Sequence, residues 1–459
     1  MEYIMDDKYL NFDEKRMTLF NELVKRYWNG NLKDVNDLND LADYIKNEYG
    51  FNDSDLPFIR DHIRIAMGQD PKGDEAFKDE LDILKSSNSV LQPVVSKLDG
   101  PCKQCTNENC ECCEIGKYET DVYRRLNETI SCGYGVSKCD FGALADKIEF
   151  MPMIELLKDK ETPVYVTVAP AIVGQFGDDI SMGQLRSAFK LLGFKDMIEV
   201  ALFADILTIK EAYEFNHLVK SEEDFFLTSC CCPIWFNMIK KIYPNIYDFL
   251  SPSVSPMIAS GRILKTLYEG AKVVFIAPCV AKKAEIKEPG LEGAIDYVIN
   301  FKELKEIFNA LNVNLHELQD DDKDQASFGG RLYGRTGGVS FSVKTVVNRL
   351  EPTRVIKLKA QKVNGIQDCK KVLDGLYSRK KGDANFIEGM GCVGGCVGGP
   401  KTNIDVEKAT KMVNEFGEDS FILTPFDNLN VMKILEQFNV KSFQDIMQNE
   451  NLDKILSRK

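Results

Sequence analysis

The sequence predicts an α/β fold, with parallel sheets flanked by helices and arranged in two lobes. Two observations carry that expectation. From Pro163 onward, short apolar runs typical of buried strands alternate with segments of helical periodicity, the pattern of a parallel sheet with helical crossovers. In addition, three cysteine-bearing motifs each follow a strand-like run, and open parallel sheets build their binding sites at the carboxyl ends of strands.

The elements follow in order. Residues 1–98 lack cysteine and read as a helical region, with apolar residues at helical spacing in Glu14–Tyr27 and Asp37–Tyr49. Residues 99–150 hold seven of the fourteen cysteines and little apolar content, so this segment needs a metal to fold. Residues 151–427 form the α/β region. Its strands are expected in PVYVTVAPAIV, MIEVAL, DFFLTS, KVVFIA, AIDYVIN, TRVIKL and ANFIEG. The intervening helices are expected at Gly183–Phe194, Glu211–Val219, Pro233–Ile242, Pro256–Tyr268, Lys302–Leu311 and Val339–Leu350. Residues 428–459 read as a charged helical tail.

Composition removes several classes of function. A formal charge of −13 over 459 residues argues against nucleic acid, which favours basic surfaces. No run approaches the roughly 18 apolar residues of a membrane span. The first residues, MEYIMDDKYL, lack the basic and apolar regions of a secretory signal, so cytoplasm is the expected location. Adjacent cysteines (Cys112–Cys113, Cys230–Cys231–Cys232) suit metal or redox chemistry better than disulfides. Cys369 reads as a structural residue of a helix, and the three histidines, His62, His217 and His316, show no ligand spacing.

The chemistry lies in Thr228–Trp235 (TSCCCPIW), Ala277–Glu285 (APCVAKKAE) and Glu388–Pro400 (EGMGCVGGCVGGP). Between them they supply four thiolates for one iron–sulfur cubane. Gly394 and Gly395, between Cys392 and Cys396, let the backbone wrap closely around it. Zinc is the alternative for four thiolates, although it is more often held by paired C-x2-C knuckles than by three distant strand ends.

These motifs resemble the signature of the iron–iron (FeFe) hydrogenases, TSCCPxW, PCxxKKxE and ExMxCxxGCxxGG, over roughly Pro163 to Glu415. The resemblance implies a catalytic H-cluster, a cubane bridged by cysteine to a two-iron unit carrying carbon monoxide, cyanide and azadithiolate. It implies Cys232, Cys279, Cys392 and Cys396 as ligands, with Cys396 as the bridge. Cys231 takes the role of proton donor, Lys282 that of the cyanide contact, and Met390 that of the neighbour of the bridging carbonyl. Ala169, Pro170 and Ala171 correspond to the loop lining the two-iron site, and Tyr333 to an aromatic near it. Glu211, Glu214 and Ser255 fall on the proton relay. The sequence departs from the pattern in having three cysteines where two are usual. Counting back from Pro233 selects Cys231 and Cys232, whereas counting forward from Thr228 selects Cys230 and Cys231. Further departures are Ala277 for a methionine, Gly391 for an alanine, and GGP at the end of the third motif; they mark a divergent branch.

The segment from Cys102 to Cys139 resembles a degraded two-cluster ferredoxin domain, which implies one or two additional 4Fe-4S clusters. Cys102, Cys105 and Cys110 with Cys139 make one cubane; Cys102, Cys105, Cys110 and Cys113 are the alternative. A second cluster would draw on Cys112 or Cys113 and on Cys132. The implied partners are a ferredoxin-like electron carrier and the maturation proteins for the two-iron unit; a homodimer is possible. The expected activity is the reversible reaction 2H⁺ + 2e⁻ ⇌ H₂. The rival expectations are a slow hydrogen sensor and an iron–sulfur assembly factor that holds cubanes without the two-iron unit.

Overall fold

The computed structural model describes residues 7–86, 92–98, 136, 139, 141–228, 231–378 and 382–458. The chain divides into two compact units, Met1–Glu161 with Tyr297–Glu317, and Thr162–Asp296 with Leu318–Lys459.

Helices Phe12–Trp28, Val35–Glu48 and Leu56–Ala66 build the first unit. The first turns Phe12, Leu19, Phe20, Leu23 and Val24 inward, the stripe that its periodicity foretells. The second begins at a capping box in which Asp34 and Asp37 satisfy each other's backbone N–H groups. Buried Arg16 pairs with buried Asp146 at 2.9 Å, tying the first helix to the antiparallel ladder of Val95–Lys97 and Leu144–Asp146. Helix Phe301–Ala310 packs on the same first helix, where Asn21 donates to Glu306 at 3.1 Å. Cys139 is buried beside Ala143 and Leu144. The other accessory-cluster candidates, Cys102, Cys105, Cys110, Cys113 and Cys132, lie outside the described residues, as does Cys230.

The second unit is the α/β body, and its elements are numbered here. One sheet has β1 (Val164–Val168) at its centre, with β2 (Asp196–Glu199) and β4 (Lys272–Ala277) parallel on either side. The other has β6 (Phe386–Met390) between β3 (Phe226–Leu227) and β5 (Ala360–Asn364), again all parallel. Every residue of β1 and β6 is buried, hence their continuous apolar runs. The flanking helices are α1 (Met182–Leu191), α2 (Ala201–Leu218), α3 (Pro233–Ile242), α4 (Pro256–Leu267), α5 (Ala281–Glu285), α6 (Gly338–Leu350), α7 (Ile366–Tyr377), α8 (Val406–Glu418), α9 (Leu429–Gln437) and α10 (Glu450–Leu456). Phe215 of α2, Phe226 of β3, Val343 and Val347 of α6, and Phe386 and Met390 of β6 share one core.

Two sequence expectations need correction. The run TRVIKL is not a strand: Val355 is 92% exposed, and Arg354 turns back to bond the Ile356 carbonyl at 2.8 Å. The strand is the polar segment Ala360–Asn364 that follows it, and its parallel pairing with β6 sets its position. In MIEVAL the strand stops at Glu199 and α2 starts at Ala201, ten residues before the predicted start at Glu211. This helix is buried almost all round, so its apolar run has no helical stripe to display. No helix among the described residues is long and apolar enough to cross a membrane.

Candidate functional site

Each cysteine motif sits where a parallel strand ends. Beyond β3, Thr228 still donates its N–H to Ile387 at 3.1 Å, and Cys231 and Cys232 then lead into α3. Cys232 is the residue before Pro233, the first position of that helix, where proline's fixed φ and missing N–H fit. Cys279 follows Pro278 at the end of β4, with α5 after it. Cys392 and Cys396 lie in the loop beyond β6. Although the strands belong to two sheets, these ends meet. Cys231, Cys232, Cys279, Cys392 and Cys396 line one cavity, together with Lys282 and Met390.

Backbone shape makes room for this arrangement. Gly394 and Gly395 have φ of +81° and +93°, the left-handed region that side chains disfavour. A Cβ on Gly395 would stand 2.7 Å from the Thr336 nitrogen, and one on Gly391 would stand 2.8 Å from Ile234 Cβ. Ile234 thus occupies the space of the methyl group that an alanine at 391 would carry.

The electrostatics of the cavity are those of crowded thiols beside one ammonium. Burial, then the neighbouring sulfurs, pushes the thiols of Cys279 and Cys396 up to about 12. Those sulfurs ionise only when a cation binds them. Lys282 donates to Glu285 at 2.7 Å. Burial alone would lower its pKa, but Glu285 and the adjacent sulfurs outweigh it and hold the ammonium charged. Cys231 Sγ lies 3.9 Å from Met390 Sδ, and Cys232 Sγ accepts the Gly391 N–H at 3.2 Å. The Cys369 thiol donates to the Met390 carbonyl at 3.3 Å, fixing the end of β6 in keeping with a structural part.

The remaining sequence-predicted residues lie off this cavity wall. Ala169, Pro170 and Ala171 follow β1, and the Ala169 N–H donates to Ile276 at 3.0 Å. Tyr333 is buried in the same core as Met390 and shares a 2.7 Å hydrogen bond with Thr208. Glu211 and Glu214 are buried on α2. Glu211 accepts from the Thr228 hydroxyl at 3.3 Å. Glu214 accepts from Ser251 at 2.7 Å and from Ser253 at 3.1 Å, and it is ion-paired with Lys210. Ser255 takes a different place: its hydroxyl caps α4 by accepting the Ile258 N–H at 3.4 Å and also bonds Glu285. Sequence reasoning missed Ser251, Ser253, Thr228, Lys210 and Glu285. The last stands within the KKAE run, three residues after Lys282, a spacing that brings the two side chains together on a helix.

Comparison with known proteins can now be set against this geometry. Residues 162–400, more than half of the chain, match the family profile described as iron only hydrogenase large subunit, C-terminal domain. The chain belongs to the FeFe hydrogenase family. It is 27% identical over 365 residues to the NADP-reducing hydrogenase subunit HndD of Solidesulfovibrio fructosivorans, covering 67% of this chain and 62% of that one. It is 26% identical over 303 residues to iron hydrogenase 1 of Clostridium pasteurianum, covering 56% and 53%. The chain therefore spans less than two thirds of the length of either relative. A probable cytosolic Fe-S cluster assembly factor of Drosophila persimilis is 22% identical over 284 residues, covering 50% and 60%. In fold, the chain resembles an apo FeFe hydrogenase of Chlamydomonas reinhardtii, with a TM-score of 0.55 at 20% identity over 65% of this chain and 94% of that one.

The donor set suits the family's cubane. Four cysteine sulfurs from three loops line one cavity, and Gly391 and Gly395 let those loops pack where a Cβ would meet Ile234 and the Thr336 backbone. No three His, Cys, Asp or Glu side chains among the described residues close on a single metal ion.

Proposed function

We propose that this chain is an FeFe hydrogenase, interconverting protons, electrons and hydrogen by 2H⁺ + 2e⁻ ⇌ H₂. The observation that carries the reading is the meeting, on one cavity, of four ligand cysteines with Cys231, Lys282 and Met390. A cubane alone has no need of these last three. Cys232, Cys279, Cys392 and Cys396 would hold the cubane, with Cys396 the residue that would also serve the two-iron unit. When bound, that group would supply the redox chemistry of hydrogen formation and cleavage.

The protein's own groups do the rest. Lys282, kept charged by Glu285, has two N–H donors left for an anionic ligand in the cavity once one is given to Glu285. Met390 packs an apolar thioether beside Cys231 and excludes water. Cys231 carries the proton at the inner end of the path, since an ordinary thiol keeps its proton near neutral pH and still yields it to an amine. Behind it, Glu211 with Thr228, and Glu214 with Ser251 and Ser253, alternate carboxylates and hydroxyls, groups that both accept and donate. Ser251 and Ser253 take the hydroxyl role first expected of Ser255. Electrons enter through the cysteine-rich segment 102–139 as one or two 4Fe-4S clusters, from a ferredoxin-like carrier in the cytoplasm. Maturation proteins supply the two-iron unit.

The test is an infrared spectrum of protein purified without oxygen and loaded with synthetic two-iron cofactor, recorded with and without hydrogen. Carbon monoxide and cyanide bands that shift under hydrogen are expected. A protein that holds iron and sulfide but shows no such bands would instead be a cubane-only assembly factor. That second reading draws on the similarity to the Drosophila protein.

A further inference from the structure

Glu285 does not serve Lys282 alone. It is fully buried, and its two oxygens face different cations: Oε2 takes the Lys282 ammonium at 2.7 Å, and Oε1 takes the Arg458 guanidinium at 3.1 Å. The Ser255 hydroxyl is a further donor. Arg458 also reaches Glu288 at 3.5 Å, nearer the surface, and its guanidinium lies 3.8 Å over the ring of Phe236. Phe236 stands one turn into α3, its N–H bonded to the Cys232 carbonyl at 3.1 Å. Glu285 ends α5, the helix that follows Cys279. One guanidinium therefore touches both helices that leave these two ligand cysteines.

The backbone that carries this guanidinium is itself anchored. The Val254 N–H donates to the Leu456 carbonyl and the Arg458 N–H to the Pro252 carbonyl, both at 2.9 Å. Arg262 gathers the carbonyls of Lys454, Ile455 and Ser457 at 3.1, 2.9 and 2.8 Å. The guanidinium is delivered to its place by a rigid strap, which exposed surface arginines lack.

We propose that Arg458 is a positioning residue for the cavity, acting through Glu285 on Lys282. A lone Lys282–Glu285 pair would be neutral, and its carboxylate would draw the ammonium away from an anionic ligand. Sharing Glu285 with Arg458, whose own charge is shared with Glu288 nearer the surface, leaves the Lys282 ammonium less neutralised than it would be in the lone pair. It also fixes the carboxylate so that Lys282 faces the cavity at a set angle. In this low-dielectric setting the charge favours the reduced cluster and anionic ligands. The proposal rests on the hydrogenase reading of the same cavity.

The test compares the full chain with Arg458→Met, Arg458→Gln and Arg458→Lys, each carrying the cubane alone and then also the two-iron cofactor. Met keeps the packing on Phe236, Gln keeps one hydrogen bond to Glu285, and Lys keeps the charge. Two readouts are taken, the cubane midpoint potential by paramagnetic-resonance titration and the cyanide stretching bands. The expected result is a lower potential and displaced cyanide bands in both Met and Gln, with Lys returning toward the parent. Coincident potentials and bands in all four proteins would overturn the proposal. So would a change in Met alone, because Gln lacks the charge as well and that pattern belongs to the lost hydrogen bond to Glu285. If the parent chain itself retains no cubane, the hydrogenase reading fails, and this proposal fails with it.

Discussion

Asp205 is fully buried on α2 and accepts three hydrogen bonds, from the Ser327 N–H at 2.8 Å, the Ser327 hydroxyl at 2.6 Å and Asn428 at 2.8 Å. Burial outweighs those bonds and pushes its pKa from the usual 3.8 up to about 6. The folded chain thus keeps this proton at a pH where the unfolded chain has released it. Stability from this group is complete below pH ~4, falls as pH rises toward 6 and is gone above that. Two pH units at about 1.4 kcal/mol each put the swing at about 3 kcal/mol. Asp205→Asn removes the titrating group. The stability of the parent minus that of the variant, from denaturant unfolding at several pH values, is expected to drop by about 2 kcal/mol between pH 4 and 6 and by the full amount from about pH 3 to 7. A flat difference would mean that Asp205 titrates alike in both states. Glu211 and Glu214, six and nine residues further along the same buried helix, keep hydroxyl partners in Thr228, Ser251 and Ser253. The helix that sequence periodicity placed only in its second half therefore carries both groups that sequence singled out and Asp205, which it did not.

At the scale of elements, the junction of β6 with α3 holds a compensated pair. Ile234 fills the space beside Gly391, where the family pattern has alanine. Gly391→Ala drives a methyl group against Ile234 Cβ, an atom that no rotamer change can move aside. Overpacking of this kind costs about 1–3 kcal/mol. Ile234→Gly alone opens a void and weakens the start of α3. The double variant is expected to be more stable than the sum of the two losses predicts, with a coupling of about 1–2 kcal/mol. Unfolding of all four proteins, followed by the fluorescence of buried Trp235, measures it, and simple additivity would refute the compensation. The same junction shows what sequence could and could not reveal. Cys232, Cys279, Cys392 and Cys396 were legible because proline and glycine beside a cysteine are local signals of a strand end turning around a bound group. Their placement at the ends of β3, β4 and β6 was legible because those strands are apolar runs. Strand β5 was not, because AQKVN has one well-buried residue, Val363, and owes its conformation to pairing with β6. The hydroxyls on Glu214 were not legible, for a related reason. Ser251, Ser253 and Ser255 alternate along one short segment, and only the packing of that segment on α2 and α5 shows which of them faces which carboxylate.

At the scale of the second unit, the cavity unites loops from two separate sheets. Cys279 leaves the sheet of β1, β2 and β4, whereas Cys232, Cys392 and Cys396 leave the sheet of β3, β5 and β6. A cluster bound to all four sulfurs is therefore a covalent tie between the sheets, made only in the folded chain. Groups that bind the native state alone stabilise it by RT ln(1 + [L]/Kd), about 4 kcal/mol at a thousand-fold excess over Kd. For a unit of this size each kcal/mol raises Tm by about 2 °C, so loading the cubane is expected to raise Tm by about 8 °C or more. Cys279→Ser is the sharper form of the test, because it removes the single ligand of one sheet and leaves three on the other. Without cluster, this variant should unfold within about a degree of the parent, since an isosteric change on a half-buried side chain removes little packing. After reconstitution under anaerobic conditions, the parent should gain the full increment and the variant little of it, as read by calorimetry with iron and sulfide assayed on the same samples. An equal gain in both would show that the cluster sits on the three cysteines of one sheet, leaving the two sheets without a shared metal tie.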